Sequence, residues 1–171
     1  MSDFDAIYEH YHVRIYRAVY GVVLDEATAE DLTQETFERA YRTRSEYRGG
    51  APVGAWLHRI AMNLAISHVR RQGLAHQLPF RLFTRSDSSV FDRVEDRTLT
   101  ERALAALRPR QRAVVVLHYY SEMTRDEIAA VLGVPEGTVA SRLANGMKVM
   151  RRTLDRAGRE LAAGGSGEQD L

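Results

Sequence analysis

Two stretches of this chain carry side chains suited to recognising nucleic acid, a chemistry of hydrogen bonds, stacking and phosphate contacts in which no covalent bond changes. The first is Thr124 to Leu143, TRDEIAAVLGVPEGTVASRL. Thr124 can cap a helix, with Glu127 three residues on completing a capping box. Ile128 and Leu132 face inward, and Ala129 is small where two helices would cross closely. Gly133 ends the first helix in a left-handed conformation that costs glycine little, and Val134 plugs the corner. Pro135, Glu136, Gly137 and Thr138 open a second helix, with Val139 and Leu143 toward the core. Thr138, Ser141, Arg142, Asn145 and Lys148 are left on the outside. The second helix of such a helix-turn-helix commonly enters the major groove and reads base edges. An ordinary helical hairpin requires no such agreement between cap, small residue, turn glycine, plug and basic outer face.

The second stretch is Gly50 to Arg71, GAPVGAWLHRIAMNLAISHVRR, with Tyr47 and Arg48 just before it. Aromatic rings can stack on unpaired bases and arginines can hold phosphate oxygens. Tyr47, Arg48, Trp56, Arg59, Asn63, Arg70 and Arg71 therefore suit single-stranded or melted DNA. Trp56 also falls on an apolar stripe with Ile60 and Leu64, which reads equally as core. His10 and His12 lie close together, but the six histidines form no i,i+4 pair with a supporting acid, so no metal site is expected.

The elements that must position these residues are helical. Phe4, Ile7, Tyr8, Tyr11, Ile15, Val19 and Val22 recur at helical spacing. Asp25 and Glu26 open a second helix with acids near its positive end, and its apolar face is Ala29, Leu32, Thr36, Phe37, Ala40 and Tyr41. Tyr47 to Pro52 breaks the pattern as a loop. A third helix with Trp56, Leu57, Ile60, Ala61, Leu64 and Val69 on one face is expected to end near Gly73. Periodicity is then lost through Pro79 and Ser86-Asp87-Ser88-Ser89, which read as a linker, although Leu78, Phe80, Leu82 and Phe83 could dock on a surface. A second block opens near Val94, with Leu99, Ala103, Leu104 and Leu107 in one helix. Pro109 sits in the first turn of the next, which carries Val114, Val115 and Leu117. Gly164 to Leu171 reads as a disordered tail. The spacing predicts an all-α chain of two small helical domains: 1–72, a linker over 73–93, 94–160, and a tail over 161–171.

Composition narrows the function classes. Of 171 residues, 44% are hydrophobic, enough for a packed core, and none is cysteine, which excludes disulfides and thiolate zinc sites. The opening Met1-Ser2-Asp3-Phe4-Asp5 is acidic and lacks an apolar run, so no signal peptide is expected. No stretch approaches the roughly 20 apolar residues that span a bilayer, and a soluble cytoplasmic protein is expected. The net charge of +1 conceals segregation: residues 1–41 carry −6, 42–85 carry +7, 86–101 carry −3 and 102–171 carry +3. Separated blocks suggest different partners for different segments.

Three strings resemble a known family. EDLTQETFERAY (Glu30 to Tyr41) is similar to the sigma-factor signature that docks on RNA polymerase. AWLHRIAMNLAISHVRR (Ala55 to Arg71) resembles the promoter −10 recognition helix of the extracytoplasmic-function (ECF) group of the bacterial sigma-70 family. LRPRQRAVVVLHYYSEMTRDEIAAVLGVPEGTVASRL (Leu107 to Leu143) resembles that group's −35 domain. With flanking helices the resemblance covers roughly 4–72 and 94–157, in the family's order and spacing. It implies sigma regions 2 and 4 joined by a flexible linker. Region 2 would bind the clamp of the largest catalytic polymerase subunit through Asp31, Gln34, Glu35, Phe37 and Glu38. It would capture an unpaired −10 base in the loop Tyr47 to Val53, with Asn63 nearby. Region 4 would dock on the flap of the second subunit and read the −35 element from Pro135 onward. Control by an anti-sigma protein is implied. Nucleotidyl transfer belongs to polymerase, so neither catalytic residue nor cofactor is expected.

The recognition helix departs from the family pattern. Members often carry a base just after the Thr-Val pair and further arginines along the next turns, where this chain has Ala140, Ala144, Asn145, Gly146 and Val149. Two other readings compete. A free-standing helix-turn-helix regulator would require a dimerisation surface for a palindromic site and leaves the N-terminal block unexplained. A helical enzyme would require converging acids and bases with a nucleophile or metal, whereas the acids here lie at helix starts and on one docking-like face.

Overall fold

The computed structural model describes residues 2–77 and 98–164; most of the expected linker, including Phe80, Leu82 and Phe83, and the end of the tail lie outside them. Among the described residues there are seven α-helices, one short 3₁₀ turn and no strand: α1 Ser2–Val23, α2 Glu26–Thr43, the 3₁₀ turn Arg44–Glu46, α3 Val53–Gln77, α4 Leu99–Ala105, α5 Pro109–Tyr119, α6 Arg125–Leu132 and α7 Glu136–Gly164. The third helix thus continues past Gly73 to Gln77, since an exposed glycine with open space around it weakens a helix without ending it. The last helix continues to Gly164.

Helices α1, α2 and α3 form the first domain. Asp25 caps α2, its carboxylate accepting from the Thr28 N–H at 3.0 Å and the Thr28 hydroxyl at 2.7 Å. Ile15, Val19, Val22, Leu32, Phe37, Leu57, Met62 and Leu64 are buried between the three helices. Tyr41, expected on the apolar face of α2, stays exposed at its rim, packed edge-on against Phe4. Gly54 lets α3 approach α1 closely, because a Cβ there would lie 2.8 Å from Tyr11 Cε1.

The second domain is built on caps. Thr98 and Glu101 form a capping box on α4, Pro109 occupies the first turn of α5, and Thr124 and Glu127 form the expected capping box on α6. Gly133 ends α6 at φ +63°, and Val139 is fully buried where α7 begins. Val131, rather than Leu132, is the deeper residue of α6; Leu132 is half-buried. Gly146, a mid-helix residue that the sequence gives no reason for, is buried where α7 crosses α5. A Cβ there would lie 3.1 Å from Val115 Cγ2, so the glycine permits a closer helix crossing than a larger residue would.

The two domains pack together. Ala113 to Leu117 are all buried, a helix apolar around most of its circumference, as expected when it is covered on several sides. On one side α5 meets α6 and α7; on the other it meets α1 and α3. Gly21 faces α5, where its Cβ would lie 2.8 Å from Val116 Cγ2. The Arg112 guanidinium, 7% exposed, donates to the carbonyls of Leu104, Ala105 and Leu107 at 2.8–3.1 Å and to Val22 O of α1 at 2.5 Å. It thereby serves carbonyls at the C-terminal ends of α1 and α4, where a helix leaves its last carbonyls without partners, and one in the turn that follows α4.

Candidate nucleic-acid interface

The loop between the 3₁₀ turn and α3 is held by its own residues. Gly49 takes φ +71°, and the Tyr47 hydroxyl donates to the Ala51 carbonyl. The Tyr47 ring stacks on Trp56 with centroids 4.9 Å apart and an interplanar angle of 30°. Trp56 is half-buried, so both sequence readings of it hold in part: one portion packs on the core and the other meets Tyr47. Arg48, Asn63, Arg70 and Arg71 are exposed. Arg59, Asn63 and Arg70 stand at i, i+4 and i+11, one face of α3. Glu46, Tyr47, Arg48, Gly50, Trp56 and Arg59 line a cleft of about 160 Å³ whose far wall is Ala130 and Val131 of α6. The Arg59 guanidinium crosses to that wall and donates to Ala130 O at 2.6 Å.

The outer face of α7 is as expected in outline. Ser141, Asn145 and Lys148 are exposed, whereas Thr138 and Arg142 are half-covered. The Ser141 hydroxyl donates to Thr138 O at 3.0 Å. Partial burial, followed by repulsion from Arg110, lowers the Arg142 guanidinium from its ordinary pKa. It remains charged at physiological pH, and the two arginines together concentrate positive charge beside the start of α7.

On α2, Asp31, Gln34 and Glu38 are exposed and Glu35 is half-covered. Glu35 accepts from Arg39 at 2.5 Å, Glu38 lies 3.7 Å from Arg42, and Gln34 donates to Glu38 at 3.0 Å. Such exposed i,i+4 pairs order the side chains but contribute little to stability. Phe37 does not join this face. It is 4% exposed, packed edge-on against Tyr8 at 4.8 Å, because its position on α2 points between the helices. It forms part of the floor of a groove of about 820 Å³ lined also by Phe4, Tyr8, His12, Tyr16 and Tyr41, with Glu30 and Glu38 at its edge.

The sequence reading missed the side chains that join the two domains. His58, 4% exposed, bonds Gly54 O through Nδ1 at 2.7 Å and the Ser121 hydroxyl through Nε2 at 3.1 Å. Burial lowers its pKa from the usual histidine value; the Gly54 bond acts in the opposite sense and Arg14 reinforces the lowering. The Tyr20 hydroxyl donates to Glu101 at 2.5 Å, and that bond, with burial, pushes its pKa up to about 12. The histidine's place on the apolar stripe of α3, four residues after a small glycine, was the available signal.

Residues 7–74 match the profile described as Sigma-70 region 2, and residues 97–150 that described as Sigma-70, region 4. The chain is 36% identical over 169 residues to the ECF RNA polymerase sigma factor SigE of Mycolicibacterium smegmatis, covering 95% of this chain but only 65% of that protein. It is 33% identical over 158 residues to the ECF RNA polymerase sigma factor SigL of Mycobacterium tuberculosis, covering 90% of this chain and 89% of that one. In fold it is similar to the sigma factor RpoE of Bartonella quintana, solved in complex with the anti-sigma factor NepR: the TM-score is 0.71 at 23% identity, over 91% of this chain and 98% of that one.

Proposed function

The chain belongs to the extracytoplasmic-function group of sigma-70 RNA polymerase sigma factors, and from that premise we propose that it binds core RNA polymerase and directs it to promoters by two separate DNA contacts. The acidic face of α2 (Asp31, Gln34, Glu35, Glu38) docks on the polymerase clamp. The Tyr47–Trp56 stack, with Arg48, Arg59, Asn63, Arg70 and Arg71, holds the unpaired −10 strand by stacking and phosphate contacts. Helix α7 presents Thr138, Ser141, Arg142, Asn145 and Lys148 to the −35 duplex.

The observation that carries this reading is the pairing of two different recognition chemistries in family order. A π-platform beside a basic helix lies within the region 2 match, and a capped helix-turn-helix with a basic outer face lies within the region 4 match. Bond making belongs to polymerase, and the chain acts without a catalytic residue, cofactor or metal of its own. It works in the compartment that holds polymerase, the cytoplasm, and an anti-sigma protein controls it.

The test is run-off transcription of genomic fragments by purified core polymerase with and without the protein, combined with permanganate footprinting of the fragments that respond. Protein-dependent initiation with melting near −10 supports the reading. Tight binding of the protein alone to a short palindrome, without protein-dependent initiation, would replace it with a free-standing regulator.

A further inference from the structure

We propose that Asn145 selects an adenine in the −35 duplex, its side-chain amide lying on the N6 and N7 edge of that base. The inference rests on the assignment of α7 to the −35 duplex given above and names the base that this helix chooses.

The outward side chains of α7 differ in what they offer a base. Ser141, Ala144, Asn145 and Lys148 are exposed, while Thr138 and Arg142 on the flank of that face are half-covered. The Ser141 hydroxyl proton is already engaged by Thr138 O. Ala144 has no polar group, and the Lys148 ammonium is a point charge on a flexible stem that donates to any acceptor. Asn145 presents a donor and an acceptor side by side, and its amide makes no hydrogen bond among the described residues. On a single base edge in the major groove, only adenine shows the matching pair, the N7 acceptor beside the N6 amino donor. The amide N–H donates to N7, and Oδ1 accepts from the N6 amino group. Guanine would set its O6 against Oδ1, acceptor against acceptor.

Position and shape agree with this match. The N-terminal part of the second helix is what meets base edges. From Thr138 to Asn145 α7 advances about 10 Å, less than the roughly 12 Å width of the major groove, whereas Lys148 comes only after about 15 Å. Asn145 therefore stands over base edges and Lys148 over the backbone. Asparagine is short, so it reaches a base only where the helix surface comes close. The exposed neighbours Gly137, Ser141 and Ala144 are all small, which leaves that approach open. The turn is also held in place from behind. The next residue, Gly146, is buried against α5, where a Cβ would lie 3.1 Å from Val115 Cγ2, and a reading group on a rigidly packed helix is placed more precisely than one on a loop.

The test exchanges one base for another. Holoenzyme is assembled from purified core polymerase and the full-length chain, as the parent, Asn145→Ala or Asn145→Arg. Each selects from a duplex pool in which the −35 segment of a responsive promoter is randomised, and the selected DNA is sequenced. The parent should favour adenine on one strand at one position by at least about fivefold, since a bidentate pair discriminates by that much or more. Asn145→Ala should lose the preference at that position alone. Asn145→Arg should replace that adenine with guanine on the same strand, because arginine matches O6 and N7, and leave the other positions unchanged. Arginine is the better helix former at this exposed site, and circular dichroism verifies folding. Identical selections by all three forms overturn the role of Asn145, and a parental base other than adenine at the position that changes overturns the adenine match. Absence of any −35 preference in every form, the parent included, overturns the assignment of α7 to the −35 duplex and this inference with it.

Discussion

His58 Nε2 and the Ser121 hydroxyl lie 3.1 Å apart across the domain boundary, and the same imidazole is tied to Gly54 O within its own helix. Both ring nitrogens are therefore engaged in a site where burial holds the pKa below the ordinary histidine value. In the unfolded chain His58 takes up a proton as the pH falls through about 6.5, while in the folded chain it resists until lower pH, so acid favours unfolding. Stability should be complete above pH 6.5 and fall below it. Half-buried His68, also lowered by burial, adds in the same direction. Melting temperatures followed from pH 8 to pH 5 should drop less steeply for His58→Gln than for the parent; identical slopes would show that His58 carries none of the effect.

Replacing both Gln34 and Glu35 by Ala should weaken binding to core polymerase while leaving the melting temperature nearly unchanged. The exposed Glu35–Arg39 pair is worth only about 0.2–1 kcal/mol. A pull-down on immobilised core enzyme, with circular dichroism to verify folding, makes the comparison. Undiminished retention of the folded variant would remove this face of α2 from the polymerase contact.

Arg142→Ala and Lys148→Ala should differ in kind. A base-edge contact contributes roughly 1–3 kcal/mol of discrimination, whereas a lost phosphate contact flattens the salt dependence by about one unit. Holoenzyme binding to promoter variants across a salt series should show Arg142→Ala losing preference at −35 and Lys148→Ala losing affinity evenly. The reverse pattern would exchange their roles.

Asn63→Ala should impair promoter melting more than initial duplex binding, since Asn63 lies exposed on the α3 face beside the stacking loop. Permanganate reactivity and duplex binding measured on the same holoenzyme separate the two steps. Normal melting with lost duplex affinity would move Asn63 out of the single-strand face.

Arg112→Met keeps most of the buried volume and removes the hydrogen bonds. Each buried carbonyl left unsatisfied costs about 1–3 kcal/mol; Leu104 O keeps its bond from the Leu107 N–H, so with three acceptors, Val22 O, Ala105 O and Leu107 O, losing the guanidinium, a loss of at least about 2–3 kcal/mol is expected in denaturant unfolding. A loss below 1 kcal/mol would mean that water replaces the guanidinium.

Helices and caps were legible because local rules set them. Asp25, Thr124 with Glu127, Pro109 and Gly133 each determine the backbone within one turn, and spacing then selects the buried faces. Phe37 falls within the docking signature, but its place on the apolar face of α2, one turn from buried Thr33, turns it between the helices. The domain contact was hidden for a different reason. Nothing in the sequence marks Arg112 as buried, since sequence does not reveal carbonyls brought together from 90 residues away. The run Val114-Val115-Val116-Leu117 was the visible trace of that contact, being apolar on more sides than a small three-helix core requires. Gly146 likewise stands out in the sequence only as a departure from the family pattern, because its reason is the crossing with Val115 on another helix.

Gly21 gives the chain a molecular ruler. A glycine inside a helix is about 1 kcal/mol less favourable than alanine, so a single added methyl strengthens α1 whenever the domains stand apart. When they are together the same methyl lies 2.8 Å from Val116 Cγ2 and opposes contact. Gly21→Ala thus sets helix propensity against domain contact, and its net effect on melting reports which weighs more: a rise where propensity does, a fall where the contact with Val116 does. Repeated with polymerase or promoter DNA added, the one substitution would read out, without a label, whether each of them loosens the contact of Gly21 with Val116.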